Sequence, residues 1–247
     1  MARMSDPTIL SPTDLRRHYD AMWDRAWPAV SRGDVECDPH LAGGLDPRRG
    51  MTLIARPDAA LAARFADVQY KLAEADPRQY RQPCADLHMT VLSLFTVSED
   101  YAPHLARRAE YAAAVRAAIE GLPAFDIDFA GITISRGAVL ATGFPRDATL
   151  ETLRTRLRDA LRARGLDGML DQRYRLVTAH STLLRFVAPP ADPARLAAVL
   201  TRVRNEPLGT LRVESLQLVV NDWFMSSAAV VVIGTMGLAV TPPRAGA

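Results

Sequence analysis

Lysine is almost missing from this chain: Lys71 is the only one, and the rest of its 30 basic residues are arginine. With abundant alanine, that skew reads first as base-composition bias and only weakly as selection for phosphate recognition. Against 28 acidic residues the formal charge is +2, so the totals give no strong pull toward bulk nucleic acid or an anionic membrane. Cysteine is scarce too. Cys37 and Cys84 stand alone without a Cys-x-x-Cys spacing, which excludes a disulfide scaffold and suits free thiols in a reducing cytosol. The first ten residues hold no apolar segment of signal-peptide length, and Asp6 and Pro7 interrupt them; a cytoplasmic location is expected. Long hydrophobic runs are absent with one ambiguous stretch. No charge occurs between Asp222 and Arg244, about the length of a membrane span. That stretch holds Ser226, Ser227, Gly234, Gly237 and Pro242-Pro243, and its dense part, 228–233, is short and β-branched. A buried strand is expected there, with no membrane attachment.

What remains is a chain of 247 residues, 49% hydrophobic and 23% charged, able to bury a large core as one domain or two small lobes. Ser11-Pro12-Thr13-Asp14 is a helix start, with a capping hydroxyl, proline in the first turn and an acid near the positive end of the dipole. Leu15, Tyr19, Met22, Trp23, Ala26, Trp27 and Val30 then recur at helical spacing and predict a buried aromatic stripe, with Pro28 limiting the helix. Residues 31–50 have loop composition, so 1–50 reads as a helical extension.

From Met51 the order of elements repeats. A strand at 51–55, a cap at Asp58, a helix marked by Leu61, Phe65, Val68 and Leu72, and a strand from Leu87 return as a strand at 138–144, a cap at Asp147, a helix marked by Leu150, Leu153, Leu157 and Leu161, and a strand from Ala179. The offset, roughly ninety residues, suits a duplicated lobe. Each module continues with a helix (105–119, 196–203) and a strand whose alternation slips by one residue, between Phe129 and Ile132 and between Val213 and Leu216, which predicts a β-bulge in both. The expected fold is α+β: two pseudo-symmetric β-α-β-α-β lobes, roughly 51–135 and 136–235, with antiparallel sheets facing a central cleft, and a tail over 236–247.

Two of the five histidines fall at equivalent points of the repeat. His88-Met89-Thr90 and His180-Ser181-Thr182 share the pattern His-x-Thr, which this composition yields about 0.3 times by chance. Residues i and i+2 of a strand share a face, so each histidine stands beside its threonine, and simple alternation extends that face through Leu92 and Leu94, or Leu184 and Phe186. In-line displacement at phosphorus needs a base beside the attacking oxygen and an acid beside the leaving oxygen. Two imidazoles across a pseudo-two-fold axis supply both near neutral pH, and two hydroxyls can hold non-bridging oxygens.

On LHMTVLSLF (87–95), AHSTLLRF (179–186) and the duplicated lobes, the sequence resembles the 2H phosphoesterase superfamily, which includes 2'-5' RNA ligases and RNA 2',3'-cyclic phosphodiesterases. The resemblance implies a cofactor-free and metal-free enzyme acting on a nucleotide or RNA end with a cyclic phosphate. His88 and His180 would then be acid and base, and Thr90 and Thr182 phosphate binders. It also implies a phosphate contact from Arg185, although alternation alone turns that side chain away from His180. The remaining histidines, His18, His40 and His104, read as surface or packing residues. Cys37 and His40 have a ligand-like separation with no second close pair, so no zinc site is expected. Trp23 and Trp27 read as core. Tyr80, Tyr174 and Asn221-Asp222-Trp223 are candidates to line the cleft, and Arg78, Arg81, Arg173 and Arg175 to form a basic rim. A monomer is favoured.

Overall fold

The computed structural model describes residues 11–42, 46–172 and 175–239. Tyr174 and Arg173, expected near the cleft, lie outside the described residues. Helix α1 (Pro12–Val30) begins where the capping signature placed it: the Ser11 side chain accepts from the Asp14 N–H. It runs two residues past Pro28. The main body then consists of β1 (Arg49–Ala55), α2 (Ala59–Ala75), β2 (Tyr80–Arg81), β3 (Met89–Ser98), α3 (Ala102–Ala106), α4 (Arg108–Ile119), β4 (Phe125–Ile134), β5 (Ala138–Pro145), α5 (Thr149–Arg162), β6 (Ala179–Arg185), α6 (Pro193–Val203), β7 (Pro207–Val213), β8 (Ser215–Asn221) and β9 (Val231–Gly237). Asp58 and Asp192 cap α2 and α6 by accepting from the N–H three residues on, which satisfies donors a helix start leaves open.

The strands form two antiparallel sheets, β3-β1-β8-β9 and β2-β6-β5-β4-β7. This is the α+β, two-sheet arrangement expected, but the sheets do not divide at residue 135. The last strand of each module crosses over: β4 pairs with β5 in the second sheet, and β8 pairs with β1 in the first. The lobes are therefore interleaved, because sequence periodicity reports which face of a strand is buried and not which neighbour it pairs with. The helices cross as well, α2 packing on β6 and β7, α5 on β3 with α4 alongside. One apolar cluster spans both layers, with Phe65 of α2 edge-on to Phe129 of β4 at 5.2 Å.

Three expectations need correction. The slip between Phe129 and Ile132 is a bulge in the β4–β5 ladder, whereas that between Val213 and Leu216 is the point where the chain leaves one sheet (β7) for the other (β8). A change of sheet and a bulge shift the phase alike. The strand expected over 228–233 runs over Val231–Gly237 and is an outer strand with Val231 57% and Val232 50% exposed; apolar content does not distinguish an edge strand from a central one. Finally, the body continues past residue 236, since the Ala239 N–H donates to the Leu122 carbonyl beyond β9. No helix among the described residues is long and apolar enough to cross a membrane.

Gly131 sits in the β4 bulge with φ +80°, its N–H donating to the Glu206 carbonyl at 2.7 Å, and a Cβ there would collide with the Arg204 carbonyl oxygen. Backbone blocks backbone, so nothing can rotate aside. Gly131→Ala is expected to lower unfolding free energy by at least about 2 kcal/mol, measured as a lower urea midpoint at unchanged slope.

Candidate functional site

His88 immediately precedes β3, and its Nδ1 lies 2.7 Å from the Asp86 carbonyl oxygen. A carbonyl only accepts, so this nitrogen carries a proton and Nε2 is the one left for a ligand. His180 lies on β6 with Nδ1 2.8 Å from the Thr178 hydroxyl, which can donate or accept. The two rings open on one cavity of about 220 Å³, lined also by Thr90, Ser93, Arg185, Asn221 and Trp223. Of the five expected site residues, four thus share a cavity. Thr182 stands on the same face of β6 as His180 without belonging to this lining.

Arg185 reaches the cavity because each motif strand carries a bulge. In the β1–β3 ladder Ile54 faces Thr90 and Leu53 faces Leu92, which leaves Val91 over; in the β5–β6 ladder Leu140 faces Thr182 and Val139 faces Leu184, which leaves Leu183 over. The bulges are equivalent under the repeat, and beyond each the alternation resumes one residue later. Ser93 and Arg185 consequently turn to the cavity, and Leu94, Leu184 and Phe186, expected on that face, are in the core.

The carbonyls at the bulges are covered by buried side chains from the helices. Val91 O accepts from Arg154 Nε at 2.9 Å, and Leu183 O from Gln69 Nε2 at 2.7 Å. Arg154 Nη2 also donates to Thr178 O at 2.6 Å and to Thr90 O at 3.4 Å, so one guanidinium behind the site holds the backbone of both motif strands. Burial pushes its pKa down to about 10, against the opposing field of Glu151. The sequence reading missed Arg154 and Gln69. A signal existed: Arg154 and Arg158 interrupt the apolar stripe of α5, between Leu150, Leu153, Leu157 and Leu161, where a charge needs a buried partner.

The Arg185 guanidinium lies over the Phe224 ring at 5.5 Å, its Nε is buried, and no hydrogen bond or ion pair engages it among the described residues. Burial lowers its pKa, while Asp38, Tyr80 and Asp222 act in the opposite sense. A cation at a cavity that no carboxylate pairs with among the described residues is suited to receive an anion. The expected basic rim is different: Arg78 is paired with Asp76, Arg175 with Glu151, and Arg81 lies over Tyr70. Trp223 and Asn221 do line the cavity, whereas Tyr80 and Asp222 line a neighbouring hollow with Phe224. His18 is exposed, His104 stacks on Phe95, and Trp23 is buried and stacked on Trp27. Among the described residues no group of three or more His, Cys, Asp or Glu is placed to hold a metal ion.

A cleft between two antiparallel sheets, with one His-x-Thr strand from each half of a duplicated chain, defines a two-histidine class of protein. The chain belongs to the 2'-5' RNA ligase superfamily, whose model matches residues 57–222. No curated protein matches it. Solved structures share its fold at low identity: TT0787 of Thermus thermophilus (18% identity, TM-score 0.54, covering 76% of this chain and 97% of that one) and LigT of E. coli complexed with 3'-AMP (18%, 0.53, 77% and 98%). A conserved protein of unknown function from Agrobacterium tumefaciens, ATU0111, aligns with TM-score 0.56 at 16% identity over 83% of this chain and 97% of its own.

Both imidazoles are pushed down to about 4. Burial is the main cause for each; Arg56 and Arg185 add to it at His88 against the Asp86 carbonyl, and His88, Arg154, Arg185 and His18 add to it at His180. The rings are therefore neutral in the folded protein wherever pH exceeds about 4, and in the unfolded chain only above about 6.5. Between those values the unfolded chain binds more protons, so stability rises with pH through this window and is lost as pH falls through it. Each ring keeps some surface open to the cavity, which reduces its share to about 1–3 kcal/mol. Unfolding free energy measured from pH 7 to pH 4 is expected to fall less in a His88→Gln, His180→Gln double variant than in wild type.

Proposed function

We propose that the protein is a metal-independent phosphodiesterase that opens a 2',3'-cyclic phosphate, on a nucleotide or at an RNA end, by acid–base catalysis from His88 and His180. The observation that carries this reading is that symmetry-equivalent imidazoles open on one cavity beside an arginine that no carboxylate pairs with among the described residues. LigT of E. coli is a fold relative with structures holding 3'-AMP and NADP+, which supports a nucleotide as ligand. The exposed free thiols Cys37 and Cys84 are in keeping with a reducing cytosol.

The substrate is a monoanion. Both rings are neutral at pH 7 by themselves, and a bound anion favours protonation of one of them. The neutral imidazole takes a proton from water as the water oxygen attacks phosphorus, the bond from phosphorus to one ribose oxygen breaks in line, and the imidazolium delivers its proton to that departing oxygen. Arg185 and the Thr90 hydroxyl donate to non-bridging oxygens, and Thr182 stands beside His180 on the same face of β6. With a ribose 5'-hydroxyl attacking in place of water and the 3'-oxygen departing, the same groups would join an RNA end in a 2'-5' bond. The family's ligase name favours that second reading.

Purified protein is expected to hydrolyse 2',3'-cyclic nucleotides with excess EDTA present. His88→Ala or His180→Ala should lower kcat by roughly 10² to 10⁴, and the double variant should be little worse than either single one, as for groups acting in one step. Thr90→Val and Arg185→Met should raise KM as well, each removing a hydrogen bond to a charged oxygen worth about 1.5–3 kcal/mol. Full turnover in a folded His180→Ala protein sinks the assignment. Tight binding of the cyclic nucleotide without any turnover identifies a binding module instead.

A further inference from the structure

Helix α1 precedes the range that the family model matches, yet one of its side chains reaches the backbone next to His180. Tyr19 is buried. Its hydroxyl accepts from the Ala179 N–H at 3.0 Å and donates to the Gly143 carbonyl at 3.2 Å. Ala179 and Gly143 are cross-strand partners in the β5–β6 ladder, one step from the pair His180 and Thr142. In an antiparallel ladder such partners can bond N–H to C=O directly. Here a phenol, which both accepts and donates, stands between them and passes the bond on. Gly143 is required at this spot, since a Cβ would collide with the Ala179 carbonyl oxygen. Burial raises the Tyr19 pKa, so the hydroxyl keeps the proton it donates.

The rest of α1 fixes the phenol in place. Thr133 Oγ1 donates to the Tyr19 carbonyl at 2.8 Å, the Tyr19 ring meets Phe144 edge-on at 5.5 Å, and Leu15 completes that small cluster. Leu140, Thr142 and Phe144 alternate onto one face of β5, and Leu140 and Thr142 are the partners of Thr182 and His180. Cross-strand partners share a face, so α1 rests on the side of the second sheet that carries the second motif.

We infer that Tyr19 is a positioning residue for His180, and that the helical extension is thereby a working part of the site. The two residues before His180 are each held from outside the strand: Thr178 by Arg154, through its carbonyl, and Ala179 by Tyr19, through its N–H. Thr178 in turn holds the ring Nδ1. This inference rests on the reading of His180 as a proton-transfer group.

The test is Tyr19→Phe in the full chain, assayed on a 2',3'-cyclic nucleotide and by NMR titration of the histidine rings. Ala179 N–H and Gly143 C=O can then pair directly, so the fold survives while the start of β6 shifts. The expected result is a fall in kcat of roughly 10-fold, the size of one misplaced hydrogen-bonded group, with KM nearly unchanged. His180 should titrate at a different pH while His88 does not. The titratable groups that act on His180 are His88, Arg154, Arg185 and His18, none of which the substitution alters. In a His180→Ala background the same change should have no further effect on residual turnover, whereas a purely structural Tyr19 gives equal losses in both backgrounds. Unchanged kcat together with an unmoved His180 titration overturns the inference and leaves the proposed function intact. If wild type turns over no cyclic nucleotide, the functional reading fails by itself, and the His180 titration alone then decides whether Tyr19 positions the ring.

Discussion

A buried backbone carbonyl must find a donor, and a bulge interrupts the ladder that would otherwise supply it. The site of this protein depends on that constraint. Bulges at Val91 and Leu183 are what bring Ser93 and Arg185 round to the cavity; Val91 O accepts from Arg154, and Leu183 O accepts from the Gln82 N–H beside β2 as well as from Gln69. Arg154 serves Val91 and, with the same guanidinium, the carbonyl of Thr178 two residues before His180. One rigid, planar cation therefore fixes the two motif strands relative to one another. A lysine could not span the same carbonyls with a fixed fork.

Interleaving makes this bridge available. If each sheet were built from one half of the chain, the two motif strands would be joined only through a linker. Because β4 and β8 exchange sheets and the helices exchange with them, α5 from the second half lies against β3 from the first, and α2 against β6. Each motif strand is supported by a helix from the other half. Displacement of one half against the other would break these buried hydrogen bonds, each of which is costly to leave unmade.

Much of this was legible in the sequence, and the misses share a cause. The repeat, the paired His-x-Thr triplets, the α1 cap and the bulge between Phe129 and Ile132 were visible because they are local, a few residues wide. Arg185 was placed on the wrong face by alternation, because alternation carries no record of a bulge at Leu183. The same holds for Leu94 and Phe186. The slip near Val213 looked like the one near Phe129 although it marks a change of sheet. Contacts that join distant segments, such as Tyr19 with Ala179 or Gln69 with Leu183, had no local signature beyond a polar atom on an apolar stripe.

The duplication is close to symmetric in backbone and unequal in charge. Ser93 and Arg185 occupy equivalent places, yet one donates its hydroxyl to the Phe95 carbonyl while the other lies over the Phe224 ring with a buried Nε that has no hydrogen-bond partner among the described residues. Asp86 and Thr178 are equivalent too, and one offers His88 a carbonyl while the other offers His180 a hydroxyl, its own carbonyl being taken by Arg154. Both rings are held near 4 all the same, so the inequality lies in their hydrogen-bond partners: Nδ1 of His88 is fixed as a donor, whereas the Thr178 hydroxyl can serve Nδ1 of His180 in either sense. Arg185 does not act there alone: Arg56 also depresses His88 and Arg154 also depresses His180, so the positive field at the two rings comes from both halves of the chain.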